Sequence, residues 1–416
     1  MPNKSDAASR EFLQRLKVVE CPDATYVPKD HALVFAKGLG SKVWDVAGNE
    51  FLDLCAGFGV LALGHNHPEL NHHVFDKYSE AVKIPPVMHG MGDVYPSQAK
   101  VELLEAIRKI LPKHLTHGAL ALTGSQAVEI AIKTAILATK KSQIISFADA
   151  YHGVDLGILP VTAREDFSSP FKGWLKADLS MKLPYGCDEK IVRAAIEKSQ
   201  TDLAGIIVEP IQGRAGVVIP PAGWLAMLRR LCDEYKMLLI FDEIFVGLGR
   251  TGRMTWAEEV ACDLLCLGKA LGGGMPLSVC FGTTAAMKAW PESKGEAIHT
   301  GTFFGHPLSC EFAIQSLVLI QKQNLISRSK TLGEKAAKYL REKIANPKVH
   351  IRGAGLMLAI EFDEAGKGAM LMDKLRQQGV IALASGAQGQ TLTVSPALNI
   401  PEDELMAGLD KICHLS

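Results

Sequence analysis

The sequence predicts an α/β fold, with a large domain built on a mostly parallel central sheet and a smaller α/β domain attached to it. Short apolar runs alternate with helical patterns from about residue 98 to 285, which is typical of crossover connections onto a parallel sheet. After about residue 310 the pattern changes to longer helices. A chain of 416 residues is long enough for a large core and a second domain.

The individual elements follow from local patterns. Residues 11–40 predict a helix and an extended lead-in, and alternating apolar positions around Gly48-Asn49 predict a β-hairpin over residues 42–54. The predicted strands of the central sheet are Ala119–Leu122, Gln143–Phe147, Gly205–Val208, Met237–Phe241, Leu264–Leu267 and Ser278–Phe281. The predicted helices include Gln126–Thr139, Gly223–Tyr235, Pro307–Gln323 and Glu402–Ile412.

These elements divide the chain into three expected regions. We expect residues 1–60 to form an N-terminal segment that packs with the small domain. Residues 61–305 are expected to form the large domain with the functional site, and residues 306–416 the C-terminal small domain.

Composition argues against several classes of partner. Lys+Arg and Asp+Glu are both 45, so no excess charge favours nucleic acid or an anionic membrane. The N-terminus lacks the apolar stretch of a signal peptide, and no apolar run reaches the length of a membrane span. Nine cysteines without a C-x-x-C pair indicate free thiols in the cytoplasm. The histidines between residues 65 and 73 lack a cysteine or paired carboxylate to complete a site, so we expect no metal.

Two strand ends carry side chains suited to one chemistry. Asp242 follows the apolar run Met237–Phe241, and Lys269 follows Leu264–Leu267 and precedes a glycine-rich loop. Ligands bind at the carboxyl ends of parallel strands. A lysine and a carboxylate there suit a Schiff-base lysine and the partner of a pyridinium nitrogen, which indicates pyridoxal 5′-phosphate (PLP).

Two further motifs gain meaning from that pair. Gly124 and Ser125 follow a strand and open a helix, where free amides and a hydroxyl can bind a phosphate. Ser125 alone is better explained as an ordinary helix cap, but the phosphate interpretation is favoured with Asp242 and Lys269 in the same sheet. Tyr151 could stack on a flat cofactor ring, although taken alone it suits a core tyrosine beside a turn.

Two glycine-rich motifs suggest other cofactors, and neither fits its context. Gly247–Gly252 has the spacing G-x-G-x-x-G, but Asp242-Glu243 intervenes after the strand and no apolar helix follows. Gly268-Lys269 is followed by Ala270 in place of Ser or Thr, which excludes a Walker A loop.

Together these motifs resemble the class III PLP-dependent aminotransferases of the ornithine, acetylornithine and 4-aminobutyrate type. The resemblance covers roughly residues 40–400. It is carried, in family order, by Asp53 with Gly64-His65-Asn66-His67-Pro68, Thr123-Gly124-Ser125-Gln126-Ala127-Val128-Glu129, Tyr151-His152-Gly153, Val208-Glu209-Pro210-Ile211-Gln212-Gly213, Asp242-Glu243 with Gly247–Gly252, Lys269, and Thr300-Gly301-Thr302-Phe303.

The resemblance implies fold type I of the PLP-dependent transferases and a homodimer whose subunits share their active sites. It implies that Lys269 forms the Schiff base and that Asp242 pairs with the ring nitrogen. The other cofactor-binding residues implied are Gly124 and Ser125 at the phosphate, Tyr151 on the ring, the adjacent His152, Glu209 at the polar edge, and Thr302 at the phosphate of the neighbouring subunit.

Three positions depart from the family pattern and concern the substrate. Many members have a glutamate at Arg214 and, at Thr393, an arginine that binds an α-carboxylate. Threonine cannot replace that bidentate contact. Either Arg214 supplies a relocated carboxylate site, or one substrate has no α-carboxylate, or Arg214 is a surface residue and the alignment at Thr393 is shifted. Phe245 stands where many relatives have glutamine, and either lines the substrate pocket or packs in the core.

The expected function is transfer of an amino group from an amine or ω-amino acid to a 2-oxo acid by a ping-pong mechanism. Both substrates are small molecules. The alternative is a PLP-dependent racemase or epimerase on the same fold. No single residue of the sequence distinguishes an aminotransferase from such an enzyme. A non-catalytic PLP-fold scaffold is disfavoured, because Lys269 and Asp242 are both present.

Overall fold

The computed structural model describes residues 4–22, 24–25, 33–88, 94–175, 179–199 and 202–416. Its strands are β1 (Phe35–Leu39), β2 (Lys42–Asp45), β3 (Glu50–Asp53), β4 (Leu115–Ala121), β5 (Gln143–Phe147), β6 (Ser180–Leu183), β7 (Leu203–Val208), β8 (Leu238–Asp242), β9 (Leu264–Leu267), β10 (Ser278–Thr283), β11 (Val349–Ala354), β12 (Met357–Phe362), β13 (Val380–Ile381), β14 (Leu383–Ser385) and β15 (Thr391–Val394). Its helices are α1 (Lys4–Val19), α2 (Ala56–Gly59), α3 (Pro68–Lys77), α4 (Gln98–Ile110), α5 (Gly124–Thr139), α6 (Glu165–Ser168), α7 (Glu189–Ser199), α8 (Trp224–Tyr235), α9 (Thr284–Met287), α10 (Pro307–Lys322), α11 (Leu325–Lys343), α12 (Lys367–Gln377) and α13 (Glu402–Leu415).

The central sheet has the strand order β4-β10-β9-β8-β7-β5-β6. Strand β10 runs antiparallel to both of its neighbours, and the pairs from β9 to β6 are parallel. The prediction of a mostly parallel central sheet is therefore confirmed. The carboxyl ends of β4, β5, β7, β8 and β9 lie at one edge, because β4 and β9 both oppose β10.

Both faces of this sheet are covered. Ile206, Leu239 and Leu265 belong to one hydrophobic cluster, whereas their neighbours Ile207 and Ile240 belong to another. Because successive strand residues point to opposite faces, this alternation places a core on each side. Helix α5 packs on β9 and β10, and α8 packs on β7 and β8. Such strands read as nearly continuous apolar runs, which is why the sequence revealed them.

Strand β6 (Ser180–Leu183) was not predicted. It pairs with β5 at the end of the sheet, and its residues are mostly half-buried or exposed. An edge strand needs no continuous apolar run, so the short segment Ser-Met-Lys-Leu gives a weak signal.

The described residues also form two smaller, four-stranded sheets. The predicted hairpin is present as β2 and β3, and β3 also pairs in parallel with β13 near the C-terminus. Strands β11, β12, β15 and β14 form an antiparallel sheet. We propose to retain the division into residues 1–60, 61–305 and 306–416, because the pairing of β3 with β13 joins the first region to the third. No helix among the described residues has both the length and the apolar character to cross a membrane.

Candidate active site

A cavity of about 680 Å³ opens at the carboxyl edge of the central sheet. Each strand that ends there is followed by a residue that lines it. The sequence-predicted residues that the structure brings together in this cavity are Gly124, Ser125, Tyr151, His152, Glu209, Arg214, Asp242, Phe245 and Lys269.

Lys269 lies immediately beyond β9, in a single 3₁₀ turn that follows Gly268. Its backbone is left-handed, with a φ of 40°. Its Nζ lies 4.8 Å from the centroid of the Phe245 ring. Burial lowers the pKa of the Lys269 amine, Asp242 and Glu209 oppose that shift, and Arg214 adds to it. A lysine with a lowered pKa is more readily available as a neutral nucleophile or base.

Asp242 is the last residue of β8 and is held by two contacts. Its Oδ2 lies 2.7 Å from His152 Nδ1, and its Oδ1 accepts a hydrogen bond from the Ile244 amide at 3.1 Å. The side chains of Asp242 and His152 are both buried. The Nε2 atom of His152 is buried and has no hydrogen-bond partner in the described part of the chain. The pair thus fixes a carboxylate deep in the cavity.

The N-terminus of α5 forms an anion cradle. Thr123 and Gln126 satisfy one another as a capping box, which leaves the first amides of the helix, at Gly124 and Ser125, free to bind an anion. Gly153 is left-handed, with a φ of 113°, and a Cβ there would lie 2.5 Å from Ser125 Oγ. Only glycine therefore lets this loop approach the helix so closely.

Glu209 and Tyr151 are hydrogen-bonded to each other in the wall of the cavity. The Glu209 carboxylate accepts the amides of Tyr151 and Gly213, both at 3.0 Å. Burial raises the pKa of Glu209 to about 7. The Tyr151 ring lies beneath the guanidinium of Arg214, whose Cζ is 4.7 Å from the ring centroid.

These residues fit PLP. The cradle at Gly124 and Ser125 suits its phosphate, the carboxylate of Asp242 suits its ring nitrogen, and the amine of Lys269 suits its aldehyde. The orphaned Nε2 of His152 adds a buried polar atom beside them.

Comparisons with known proteins agree with this geometry. The family model "Aminotransferase class-III" matches residues 25–415. The chain belongs to the class III aminotransferases. It is thus a PLP-dependent aminotransferase of fold type I, whose substrates are small-molecule amino donors and 2-oxo acids. The predicted family, fold, activity and cofactor are confirmed.

Several named proteins are similar to this aminotransferase. It is 35% identical to the acetylornithine aminotransferase of Methanopyrus kandleri, over 90% of this chain and 92% of that protein. It is 33% identical to the 5-aminovalerate aminotransferase DavT of Pseudomonas aeruginosa, over 91% of this chain and 92% of that protein. The structure of the ornithine aminotransferase of Toxoplasma gondii, solved with partial PLP occupancy, superposes on this chain with a TM-score of 0.86. The two chains are 27% identical, and the superposition covers 99% of this chain and 94% of the other. These relatives do not favour the racemase alternative.

Two predicted residues of the aminotransferase lie outside its cavity. Thr302 is exposed in the turn that precedes α10. Thr393 is only 3% exposed in β15, and its hydroxyl lies 2.6 Å from Ser385 Oγ on the neighbouring strand. The structure does not support Thr393 as a substrate contact, because its side chain is buried against Ser385 and is not among the residues that line the cavity.

Sequence reasoning missed part of the cavity wall. Phe58 and Val60 line it, and Phe58 is 56% exposed although it is aromatic. Phe58 adopts a φ of 61° between Gly57 and Gly59, both also left-handed. The glycine-rich apolar segment after the hairpin was the signal that could have revealed this wall.

The G-x-G-x-x-G segment of the aminotransferase acts as a connector, as its sequence context indicated. The buried guanidinium of Arg250 donates from Nη1 to the carbonyl oxygens of Leu356 and Pro396, at 2.9 and 2.6 Å. A short 3₁₀ turn at Trp256–Glu258 follows the segment where a dinucleotide fold would have a helix. The segment thus ties the loop after β8 to the C-terminal region.

Two buried carboxyls predict the pH dependence of stability. Burial raises the pKa values of Glu209 and Glu243 to about 7, from an ordinary value of 4.5. The folded state therefore keeps protons that the unfolded chain releases, so this stabilisation is complete below pH 4.5 and is lost as the pH rises through 7. Each group accounts for a loss on the order of 3 kcal/mol in the free energy of unfolding as the pH rises from below 4.5 to above 7.

Urea unfolding between these pH values measures the slope, and Glu243→Gln isolates one contribution. Glu243 lies behind the cavity, where it accepts the Thr255 hydroxyl at 2.6 Å and the amides of Trp256 and Ala257. As the pH rises, we expect the free energy of unfolding to fall less steeply for Glu243→Gln than for the wild type. Equal slopes would contradict the assignment to Glu243.

Proposed function

We propose that this aminotransferase moves the amino group of an amine or ω-amino acid to a 2-oxo acid, in two half-reactions that share one cavity. The observation that carries the proposal is the shared cavity itself. The Lys269 amine and the Asp242–His152 pair face the same space, above an anion cradle at the start of α5.

Each side chain has a proposed task. PLP, when bound, withdraws electrons from the carbon that loses its proton. Asp242, oriented by His152, holds the proton on the ring nitrogen, while Gly124 and Ser125 bind the phosphate. Tyr151 covers the ring and Glu209 lies at its polar edge. Lys269 carries the cofactor between turnovers, and its free amine takes and returns the substrate proton.

The donor class is inferred from Thr393 and from the named relatives. No arginine stands at that position, and the threonine is buried in its own sheet. The resemblance implies that an arginine at this position clamps an α-carboxylate, and Thr393, which does not line the cavity, cannot supply that contact, so the carboxylate of the 2-oxo acid must be held by another group. The names of two relatives, a 5-aminovalerate and an acetylornithine aminotransferase, also support donors whose reacting amine is remote from an α-carboxylate.

A donor screen tests this proposal. The holoenzyme is mixed with amines, ω-amino acids and α-amino acids in turn, without an oxo acid, and loss of the visible absorbance of the bound cofactor is recorded. We expect conversion with amines or ω-amino acids, followed by recovery of the absorbance on addition of a 2-oxo acid. Conversion by α-amino acids alone would contradict the proposed donor class.

We also propose a homodimer with shared active sites in the cytoplasm. Thr302 is exposed and lies outside the cavity of its own chain, which leaves it available to a second subunit. The nine cysteines are free, as in a reducing compartment.

Hybrid dimers test the sharing of sites. Lys269→Ala and Thr302→Ala subunits are mixed, unfolded and refolded together at limiting PLP. A hybrid has one site with both Lys269 and Thr302 intact, so we expect activity above that of either parent variant. Activity equal to the average of the two parents would contradict a shared site.

A further inference from the structure

Arg214 is a cation of the cavity whose guanidinium has no carboxylate partner in the described chain. We propose that Arg214 binds the carboxylate of the substrate, so that the enzyme takes ω-amino acids in preference to plain amines. This inference rests on the proposed function, because it names the substrate class of the same site.

The position of Arg214 is fixed by its surroundings. Its backbone carbonyl accepts a hydrogen bond from the amide of Gly386 at 2.9 Å. Its guanidinium lies over the Tyr151 ring at 4.7 Å, and the residue is exposed to the cavity. Stacking on an aromatic ring holds a guanidinium in place but uses none of its N–H donors. These donors remain available to a ligand.

The carboxylates of the cavity are not paired with Arg214. Asp242 is bound by His152, and Glu209 accepts two backbone amides. Asp155 also lines the cavity, and no ion pair joins it to Arg214. An accessible guanidinium without an anion is a ready site for a planar carboxylate, which it binds through two parallel hydrogen bonds.

Arg214 and Lys269 line the same cavity of about 680 Å³, so one small molecule in that cavity can contact both. Its charge acts on the Lys269 amine in the same direction as burial, lowering the pKa, whereas the charges of Asp242 and Glu209 oppose it. The apolar side chains Phe58 and Phe245 line the same space. A chain of methylene groups suits such a wall, with an amine at one end and a carboxylate at the other.

Matched donors separate this role from a structural one. The measurement is the ratio of kcat/KM for 5-aminopentanoate to that for pentylamine, which differ only in the carboxylate. In Arg214→Gln we expect this ratio to fall by on the order of ten- to a hundred-fold, chiefly through KM. Arg214→Lys, which keeps the charge, is expected to recover part of the preference.

Arg253→Gln is the matched control. Arg253 also lies over an aromatic ring, that of Trp256 at 4.3 Å, but it does not line this cavity. We expect its substitution to leave the ratio of the two donors unchanged. An equal loss on both donors in Arg214→Gln would overturn the proposal, since it would indicate a structural role.

Binding of glutarate gives a readout that does not depend on turnover. Glutarate carries carboxylates but no amine, and its dissociation constant is measured by calorimetry on the holoenzyme. We expect it to bind Arg214→Gln more weakly than the wild type by a similar factor, and equal affinity would overturn the proposal. If the wild type transaminated no donor, the proposed function would fail, while this titration would still decide the role of Arg214.

Discussion

Lys269→Ala is expected to reduce transamination by about 10⁴-fold or more. Among the described residues, no other side chain in the cavity can serve both as the amine nucleophile and as the group that transfers the substrate proton. The variant should fold, since the lysine stands in a 3₁₀ turn at the end of a buried strand whose apolar residues are unchanged. It should also lose its covalent hold on PLP. Activity and retention of visible absorbance after dialysis measure both effects.

Lys182→Ala is the control for this experiment. Lys182 lies on the edge strand β6, and burial also lowers the pKa of its amine. It does not line the cavity, so we expect full activity and normal cofactor retention in this variant. Comparable losses in the two variants would contradict a specific role for Lys269.

Asp242→Asn is expected to cost on the order of 10²- to 10³-fold in turnover. Asparagine has nearly the same size and can still contact His152, so the site should keep its shape. It lacks the negative charge that holds a proton on the ring nitrogen of PLP, and loss of that charge weakens electron withdrawal. Single-turnover rates with a fixed donor measure the effect on chemistry apart from binding.

The control for this variant is Asp202→Asn. Asp202 lies just before β7, at the opposite edge of the same sheet, where it accepts hydrogen bonds from Ser142. We expect nearly wild-type rates for it. A wild-type rate in Asp242→Asn would show that turnover does not depend on the negative charge of Asp242. A large loss in Asp202→Asn would show that the loss is not specific to the carboxyl edge of the sheet.

The sequence was most informative where burial and chemistry coincide. The central strands are covered on both faces, so their apolar runs predicted the sheet, and the sheet placed Asp242 and Lys269 at one edge. Strand β6 escaped notice because an edge strand carries no such run. Local patterns therefore sufficed for the part of the site that is built on the sheet.

The substrate side of the cavity could not be predicted in the same way. The position of Thr393 follows from pairing between β14 and β15, and a shift by one residue would have turned its side chain to the other face. Phe58 reaches the cavity through a left-handed turn between Gly57 and Gly59; these glycines indicate a turn, but not that it directs the ring into the cavity. Arg214 and Tyr151 lie on loops that are 63 residues apart in the chain. Only the folded structure brings these two side chains into contact.

Peptide mapping after borohydride reduction tests the central claim most directly. Reduction makes the link between PLP and its lysine permanent, and digestion with mass analysis then locates it. We predict that the phosphopyridoxyl group is found on the peptide that contains Lys269. Its recovery on another lysine, or a reduced holoenzyme without any modified peptide, would contradict the assignment of Lys269 as the lysine that carries PLP.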